Sequence, residues 1–314
     1  MRRWTEADMP DQSGRTAVIT GANSGLGLYS AAALARKGAR VLLACRSPER
    51  GEQALRRVSA LAHTAPKLIR LDLADLASVR EAAAEIRDTT GDALDLLMNN
   101  AGVMATPYRR TADGFELQFG TNHLGHAALT WLLMPALRGG SAARVVTLSS
   151  LAARGGRIDF GDPNFEHRRY NGATAYSQAK LANQVFALEL DRRLREVGLD
   201  IVSAAAHPGY TATGLNSAMA RSYGNPLLRN LIQGASHLGD ALLAQNVRTG
   251  ALPQLYAATA PGVNGGDYVG PDRFGGMRGH PTVIQPLRPA LDRRNGTALW
   301  ELTAKLTGIT PDPA

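Results

Sequence analysis

The stretch "TGANSGLG", residues 20–27, decides the fold that this sequence predicts. It follows an apolar run, opens a segment of helical period, and places glycines at positions 21, 25 and 27. Glycine permits a tight turn and lets backbone N–H groups come close to an anion at the N-terminus of a helix. A glycine triplet alone could be an ordinary turn, but the strand-to-helix context predicts a site for the pyrophosphate of a dinucleotide.

Short aliphatic runs alternate with amphipathic segments on both sides of this turn. The runs are continuously apolar, as expected of strands that are covered on both faces of a parallel sheet. They lie at 16–20, 40–45, 67–72, 94–99, 144–149 and 200–206, with a late candidate at 266–270. The sequence therefore predicts an α/β fold, a doubly wound parallel sheet of Rossmann type with about seven strands, whose ligands bind at the carboxyl ends of the strands.

Length and composition indicate one globular unit. The chain has 314 residues, 44% of them hydrophobic, and no linker or repeat divides it. We expect a single dinucleotide-binding catalytic domain over 1–314, with its core at about 14–270. Residues 214–245 predict a mobile, mostly apolar helical flap over the ligand site, or a helix packed permanently on the body. In the C-terminal extension, about 271–314, we expect a helix that docks on the body or reaches a neighbouring subunit.

Charge and cysteine content exclude several classes of protein. The net charge is +8, but the basic residues are scattered and aromatic residues make up only 5%, so we expect no nucleic-acid binding. The single cysteine, Cys45, cannot form an internal disulfide and lies in an apolar run, where a buried structural thiol is expected. The apolar stretch 126–137 is shorter than the roughly 20 residues of a membrane span. We expect a cytoplasmic protein with no membrane span and no metal site.

The residues that follow the second and third strands bear on the choice of dinucleotide. An acidic residue after the second strand would bind the ribose 2′-hydroxyl of NAD(H), but here Cys45 is followed by Arg46. A guanidinium group can bind a 2′-phosphate through two hydrogen bonds, so the sequence favours NADP(H) over NAD(H). Alternatively, Arg46 only faces water. Asp72 could accept a hydrogen bond from the adenine amino group or cap the helix that follows it.

Tyr176 and Lys180, in "TAYSQAK", are spaced i and i+4 and share one face of a predicted helix. A lysine ammonium at that distance, helped by a positively charged nicotinamide, would lower the pKa of the tyrosine from its usual value of about 10. The tyrosine would then serve as a proton donor or base. This spacing is common by chance, and other polar residues must support it.

Two further sites supply that support. Ser149 and Ser150 end the fifth predicted strand and place a hydroxyl at the carboxyl edge of the sheet, although such serines can simply form a turn. Asn122 lies in the apolar helical stretch "FGTNHLGHAAL", where a buried amide needs hydrogen-bond partners. Asn122 could also bend the helix, which is compatible with a catalytic role.

The motifs TGANSGLG, NNAG (99–102), Asn122, Ser150, YSQAK and HPGYTAT (207–213) together resemble the short-chain dehydrogenase/reductase superfamily over about residues 14–215. The segment between Ser150 and Tyr176, together with "ACRS" and "SQAKLAN", is similar to the branch of retinol dehydrogenases and protochlorophyllide reductases. The sequence shows neither the N-terminal anchor of membrane-bound retinol dehydrogenases nor the cysteine cluster of protochlorophyllide reductases. These departures argue against either specific activity, while retinoid-like or other lipophilic carbonyls and polyketide-type aromatic ketones stay candidate substrates.

The resemblance implies roles for particular residues. Tyr176 would be the acid/base, Lys180 would tune it and hold the nicotinamide ribose, Ser150 rather than Ser149 would polarise the substrate oxygen, and Asn122 would anchor a water of the proton relay. The implied cofactor contacts are Gly21, Asn23, Ser24, Gly25, Leu26, Gly27, Arg46, Asp72, Leu73, Asn100, Ala101, Gly102, Tyr176, Lys180, Pro208, Gly209, Thr211 and Thr213.

The function that follows is an NADP(H)-dependent oxidoreductase that interconverts a carbonyl and an alcohol on a lipophilic or aromatic small molecule. Two alternatives stay open: reduction of a C=C bond on the same scaffold, and a non-catalytic protein that senses NADP(H) for a protein partner. The resemblance also implies a homo-oligomer, although nothing in the sequence specifies its number of chains.

Overall fold

Eight strands form one sheet in the computed structural model, which describes residues 3–211 and 245–313. In chain order the strands are β1 (Thr16–Thr20), β2 (Arg40–Cys45), β3 (Lys67–Arg70), β4 (Leu96–Asn99), β5 (Arg144–Leu148), β6 (Val202–Ala206), β7 (Tyr268–Arg273) and β8 (Arg278–Ile284). They lie side by side in the order β3-β2-β1-β4-β5-β6-β7-β8. Strands β1 to β7 are parallel, so their carboxyl ends meet at one edge of the sheet.

The strand order reverses at β1, which pairs with β2 on one side and with β4 on the other. Such a reversal opens a crevice at the carboxyl edge, and this is the usual ligand site of a doubly wound sheet. The seven predicted strands are confirmed, with ends that shift by up to three residues. The third strand ends at Arg70, before Asp72, and the seventh continues to Arg273.

The eighth strand was not predicted. It lies within the C-terminal extension and runs antiparallel to β7, with Val283 opposite Val269 and Thr282 opposite Gly270. Its sequence, RGHPTVI, contains a glycine and a proline, residues that normally argue against a strand interior. Because β8 is the outermost strand, Pro281 is tolerated there. The parallel sheet therefore gains an antiparallel edge.

Helices cover both faces of the sheet. They are α1 (Gly25–Arg36), α2 (Pro48–Ser59), α3 (Leu76–Thr90), α4 (Leu117–Phe119), α5 (Gly125–Leu132), α6 (Met134–Gly139), α7 (Gly172–Glu196), α8 (Val247–Thr259), α9 (Arg288–Leu291) and α10 (Arg293–Thr307). A π-helical segment, Gly120–Leu124, joins α4 to α5. Buried residues of α1, α2 and α8 pack on one face of the sheet, and those of α3, α5, α7 and α10 pack on the other.

The C-terminal helix α10 docks on the body of its own chain, which is one of the two arrangements expected for it. The Trp300 ring stacks on Phe186 of α7, with ring centroids 5.5 Å apart, and its edge meets Trp131 at 4.9 Å. The Arg193 guanidinium lies 4.7 Å from the centre of the Trp300 ring. The extension thus packs behind the helix that carries Tyr176 and Lys180.

Some predictions concern residues 212–244, which lie outside the described part of the chain. They include Thr213 and all of the expected flap except Gln245. The boundaries of the domain core and of the C-terminal extension stay predictions. Within residues 3–211 and 245–313, no helix combines the length and the apolar character that a membrane span requires.

Candidate active site

The glycine-rich turn connects the end of β1 to the start of α1. Gly21 has φ +66° and Gly25 has φ +52°, a conformation that residues with a side chain rarely adopt. Helix α1 begins at Gly25, and its N-cap Ser24 is exposed and makes no side-chain capping bond. The first N–H groups of α1 therefore lie beside the turn at the carboxyl edge of the sheet, where they suit an anionic group.

The NNAG segment after β4 holds this turn in place. The main-chain N–H groups of Asn100 and Ala101 each donate to Thr20 Oγ1 at 2.9 Å, and Asn100 Nδ2 donates to the Thr20 carbonyl at 2.7 Å. A Cβ atom added to Gly27 would come within 2.5 Å of Asn100 Nδ2 and of the Gly21 carbonyl oxygen. The expected contacts at 21–27 and 100–102 therefore belong to one packed unit.

Arg46 follows β2 immediately and is exposed at the same edge. The neighbouring Cys45 is buried, and burial raises the pKa of its thiol to about 11, whereas the nearby Arg50 has a small opposite effect. Cys45 therefore has the structural character expected of it. Two arginine residues, 46 and 50, lie near the end of β2.

The proposal that Asp72 caps the next helix is wrong. Asp75 is the N-cap of α3 and accepts from the N–H groups of Ala77 and Ser78. The carboxylate of Asp72 instead accepts from the N–H of Ala74 at 3.0 Å in a local turn. Aspartate favours both positions because its short side chain reaches backbone N–H groups two or three residues ahead. The adenine contact of Asp72 and the cofactor contact of the buried Leu73 stay predictions.

Tyr176 and Lys180 lie in the first half of α7, whose N-terminus is capped by Asn171. Both side chains are buried, at 8% and 4% exposure, below the end of β5. Lys180 Nζ donates to the Leu148 carbonyl at 2.9 Å and lies 5.9 Å from the centre of the Tyr176 ring. The predicted shared face of the helix is confirmed, although the lysine ammonium binds a backbone carbonyl.

The two serines after β5 have different surroundings. Ser150 caps the short 3₁₀ turn Leu151–Gly155, accepts from the N–H of Ala152 at 3.2 Å, and is a hydrogen-bond partner of the Tyr176 hydroxyl. Ser149 is buried and donates to the Lys180 main-chain carbonyl at 2.8 Å. Ser150 therefore faces the tyrosine hydroxyl, whereas Ser149 anchors the backbone of α7.

Asn122 is fully buried in the π-helical segment. Its side-chain oxygen accepts from the Val103 N–H at 2.8 Å and its side-chain nitrogen donates to the Val103 carbonyl at 2.9 Å. A Cβ atom added to Gly102 would lie 3.1 Å from Asn122 Oδ1 and 3.5 Å from Lys180 Nζ. The structure thus brings Asn122, Ser150, Tyr176 and Lys180 together from three separate parts of the chain.

Burial dominates the electrostatics of this cluster. It raises the pKa of Tyr176 above its usual value of 10, and the hydrogen bond from Ser150 opposes this only in part. Burial also lowers the pKa of Lys180 to about 8. The lowered tyrosine pKa predicted from the i, i+4 spacing is therefore not found in the protein itself, because removing the phenolate from water has the larger effect.

The HPG turn follows β6. Gly209 has φ +67°, and a Cβ atom there would come within 2.4 Å of the Met277 carbonyl oxygen in the β7–β8 hairpin. The Pro208 carbonyl accepts from Thr211 Oγ1 at 2.8 Å and from Gln245 Nε2 at 2.6 Å. Pro208, Gly209 and Thr211 therefore lie at the carboxyl edge, as expected of cofactor contacts.

Sequence reasoning missed two polar residues that contact the site. Asn183 Nδ2 donates at 2.9 Å to the Leu148 carbonyl, the same atom that holds Lys180 Nζ. His126 is buried and lies between Asn122 and Thr20. Both could have been found as polar residues inside apolar helical stretches, Asn183 three residues after Lys180 and His126 four residues after Asn122.

Comparison with known proteins gives consistent matches. The family model described as short chain dehydrogenase matches residues 15–223. Retinol dehydrogenase 13 of Homo sapiens is 39% identical over 302 residues, which cover 94% of this chain and 85% of the relative. The crystal structure of an uncharacterized protein from Mycobacterium paratuberculosis is 42% identical, has a TM-score of 0.80 and is matched over 98% of both chains.

A more distant structure shares the fold. The Pseudomonas aeruginosa RhlG/NADP active-site complex is 24% identical, has a TM-score of 0.63, and is matched over 82% of this chain and 94% of that chain. At this identity the likeness concerns the architecture alone. The architecture is therefore one that holds a nicotinamide dinucleotide in another protein.

Proposed function

Because this chain belongs to the short-chain dehydrogenase family, in its retinol dehydrogenase-like branch, we propose that it interconverts a carbonyl and an alcohol on a lipophilic or aromatic small molecule with NADP(H). The family makes it an oxidoreductase with a nicotinamide dinucleotide cofactor. The observation that carries the finer proposal is the contact of the Tyr176 hydroxyl with Ser150, in a buried cluster that also holds Lys180 and Asn122.

The described residues fit a nicotinamide dinucleotide. The positive φ angles of Gly21 and Gly25 turn the chain so that α1 starts at the carboxyl edge, and the side chain of its N-cap Ser24 makes no capping bond. We propose that the N–H groups of this turn, residues 23–27, bind the pyrophosphate. The strand-end residues of the NNAG and HPG segments would line the remainder of the groove. When bound in its reduced form, the dinucleotide supplies the hydride.

Arg46 supports NADP(H) over NAD(H) in this proposal. It is exposed at the end of β2, the position at which an acidic residue would bind an unphosphorylated ribose. Its guanidinium can form two charge-assisted hydrogen bonds to a 2′-phosphate. Arg50 adds positive charge to the same corner of the sheet.

Tyr176 is the proton donor for the carbonyl oxygen. Its raised pKa keeps the phenol protonated at neutral pH, which is the form required for reduction. As the proton leaves, the Lys180 ammonium stabilises the tyrosinate, because opposite charges attract strongly in a buried site. With a pKa of about 8, Lys180 carries that charge at neutral pH.

Ser150 orients the substrate oxygen. Its hydroxyl oxygen accepts from the Ala152 N–H, which leaves its own hydrogen available to donate on the Tyr176 side of the pocket. There it can donate to the substrate carbonyl and stabilise the negative charge that develops on the oxygen. In the oxidative direction the same hydroxyl holds the alcohol while Tyr176 accepts its proton.

The substrate class rests on two arguments. The relative at 39% identity is named for retinol, a lipophilic alcohol. Residues 214–245 of this chain contain Met219, Tyr223, Leu227, Leu228 and Ile232, which would favour an apolar or aromatic substrate. We propose the class and not a particular compound.

A panel of ketones and aldehydes, graded from short polar compounds to long apolar and aromatic ones, tests the proposal through the loss of NADPH absorbance. We expect turnover of apolar members, and a decrease on the order of a hundredfold in kcat for Ser150→Ala. Ser203→Ala is the control for the loss of a serine hydroxyl next to α7, since Ser203 donates to the Ala187 carbonyl of that helix but lies on β6 away from the cluster. Absence of NADPH oxidation with every member would contradict the proposal and favour a non-catalytic protein.

A further inference from the structure

His126 joins two parts of the site that the proposed mechanism uses separately. Its Nδ1 atom lies 3.0 Å from the main-chain carbonyl oxygen of Asn122, and its Nε2 atom lies 2.9 Å from Thr20 Oγ1. The imidazole is 1% exposed and Thr20 is completely buried. A contact between these groups is therefore screened little by water.

The partners fix which nitrogen carries the proton. A carbonyl oxygen can only accept, so Nδ1 must be the donor to Asn122. Thr20 Oγ1 already accepts from the N–H groups of Asn100 and Ala101, which occupy its two lone pairs. It can only donate to Nε2, and this contact at 2.9 Å is shorter than its alternative at 3.3 Å to the Met98 carbonyl.

In the resulting chain of hydrogen bonds, each group donates to the next in the same order. The Ala101 N–H donates to Thr20 Oγ1, the Thr20 hydroxyl donates to His126 Nε2, and His126 Nδ1–H donates to the Asn122 carbonyl. A doubly protonated ring would place a third donor on the Thr20 oxygen. Burial also keeps the ring neutral, since it lowers the pKa of His126 to about 3.

These hydrogen bonds form a closed set of contacts around Gly102. The strand-end segment 100–103 is held at one end by Thr20, through Asn100 and Ala101, and at the other by Asn122, through Val103. His126 connects Thr20 to Asn122, the two residues that hold this segment. Gly102 lies between them, where an added Cβ atom would be within 3.5 Å of Lys180 Nζ.

We infer that His126 is a positioning residue, which in its neutral Nδ1–H form sets the place of the Asn122 carbonyl relative to the Thr20 hydroxyl at the nucleotide turn. It touches neither substrate nor cofactor, and it acts through Asn122 and Thr20. This inference rests on the proposed function for its catalytic consequence, whereas the hydrogen-bond arrangement is independent of that function.

Histidine side-chain ¹⁵N NMR of the ligand-free protein tests the arrangement without any activity measurement. We expect protonated Nδ1 and unprotonated Nε2 for His126 at neutral pH, with the signal assigned by its loss in His126→Asn. His207 is an internal control with the opposite form, because its Nδ1 accepts from the Gly209 N–H at 3.2 Å. An Nε2–H form of His126 would overturn the inference.

A set of four variants tests the positioning role. His126→Leu removes both bonds, His126→Asn keeps a donor at the place of Nδ1, and Thr20→Val removes the hydroxyl. Thr259→Val is the matched control, because Thr259 is also buried and its hydroxyl also donates to a main-chain carbonyl, that of Leu255 on α8, at 2.7 Å. All four are measured for NADPH binding by fluorescence titration, and for kcat and KM with the best substrate of the panel.

We expect His126→Leu and Thr20→Val to weaken NADPH binding by about fivefold and to lower kcat by about tenfold or more. Asparagine at 126 should restore most of kcat, and the KM for the carbonyl substrate should change little. The inference is wrong if Thr259→Val matches these losses, or if His126→Asn is as impaired as His126→Leu. If no compound of the panel turns over, the proposed function fails, while the NMR and NADPH-binding results still decide the arrangement.

Discussion

The nucleotide end and the reacting end of the site are built in different ways. The nucleotide end consists mostly of main chain, which comes from a glycine turn, the start of α1 and the ends of β2 and β4, and it adds the side chain of Arg46. The reacting end consists of buried side chains contributed by the π-helical segment, by the residue after β5 and by α7. The first is a turn of local backbone conformation that the NNAG segment then holds in place, whereas the second consists of side chains that meet only in the complete fold.

The two ends also differ in how far their side chains are buried and in whether burial disfavours charge. At the reacting end, burial raises the pKa of Tyr176 and lowers that of Lys180, so charge is disfavoured there. At the nucleotide end, Arg46 and Ser24 are exposed and remain in contact with water. The cluster proposed for proton transfer is thus buried, and the turn proposed to bind phosphate is open to water.

The largest expected effect is on stability. It comes from the packing of α10 against α7, the helix that carries Tyr176 and Lys180 of the reacting end. Trp300→Ala removes a buried ring that stacks on Phe186, so we expect the free energy of unfolding to fall by about 3–5 kcal/mol. Chemical denaturation measures this. The exposed Leu291→Ala, in the same extension, is the control and should change stability little. A loss below about 1 kcal/mol for Trp300→Ala would mean that the extension does not support the reacting end.

The burial of Lys180 should be visible as a pH dependence of stability. Its pKa is about 8 in the folded protein against 10.5 for a free lysine, so the unfolded chain binds this proton more tightly. The free energy of unfolding should therefore rise with pH between 8 and 10.5, by about 3 kcal/mol in total from this group. Denaturation of wild type and Lys180→Met across this range checks it, and equal slopes for the two proteins would contradict the burial effect.

The choice of dinucleotide should depend on Arg46 more than on arginines farther along α2. Arg46→Asp should weaken NADPH binding by about 1.5–3 kcal/mol, because a charged hydrogen bond to the 2′-phosphate is lost. NADH binding should be unchanged or stronger. Arg56→Asp, exposed on α2, is the control. Equal losses for NADPH in the two variants would show that only the general positive charge matters.

A substitution that crowds the glycine turn should have a smaller effect, on both stability and NADPH binding. Gly27→Ala places a Cβ atom within 2.5 Å of two polar atoms, and we expect a loss of about 1–3 kcal/mol in stability together with weaker NADPH binding. Gly262→Ala is the matched control, since a Cβ atom there meets open space. Calorimetric titration with NADPH and thermal unfolding measure both effects. Unchanged affinity in Gly27→Ala would place the nucleotide elsewhere.

The difference between the two ends explains what the sequence could predict. Gly21 and Gly25 are required by local backbone conformation, so the turn was predictable. Continuous apolar runs mark strands buried on both faces, so seven strands were predictable too. The grouping of Asn122, Ser150, Tyr176 and Lys180 followed only from resemblance to a family. Spacing alone carries no information on contacts between distant segments.

Other features depend on the folded environment. Strand β8 was not predicted because Gly279 and Pro281 argue against a strand. They are compatible with β8 only because it lies at the edge of the sheet. The i, i+4 spacing does not reveal the degree of burial, which raises the pKa of Tyr176 in the protein alone, and the lowered pKa beside a positively charged nicotinamide stays a prediction. His126 was missed because its partners, Thr20 and the Asn122 carbonyl, meet only after folding.

The central claim is that the Tyr176 hydroxyl transfers the proton at the reacting end while the nucleotide end works independently of it. Tyr176→Phe removes one oxygen atom and keeps the ring that packs against Lys180. The most direct measurement is the single-turnover rate of NADPH oxidation in this variant, together with its NADPH dissociation constant. We predict a rate lower by about 10²–10⁴-fold with an unchanged dissociation constant. An unchanged rate would contradict the account.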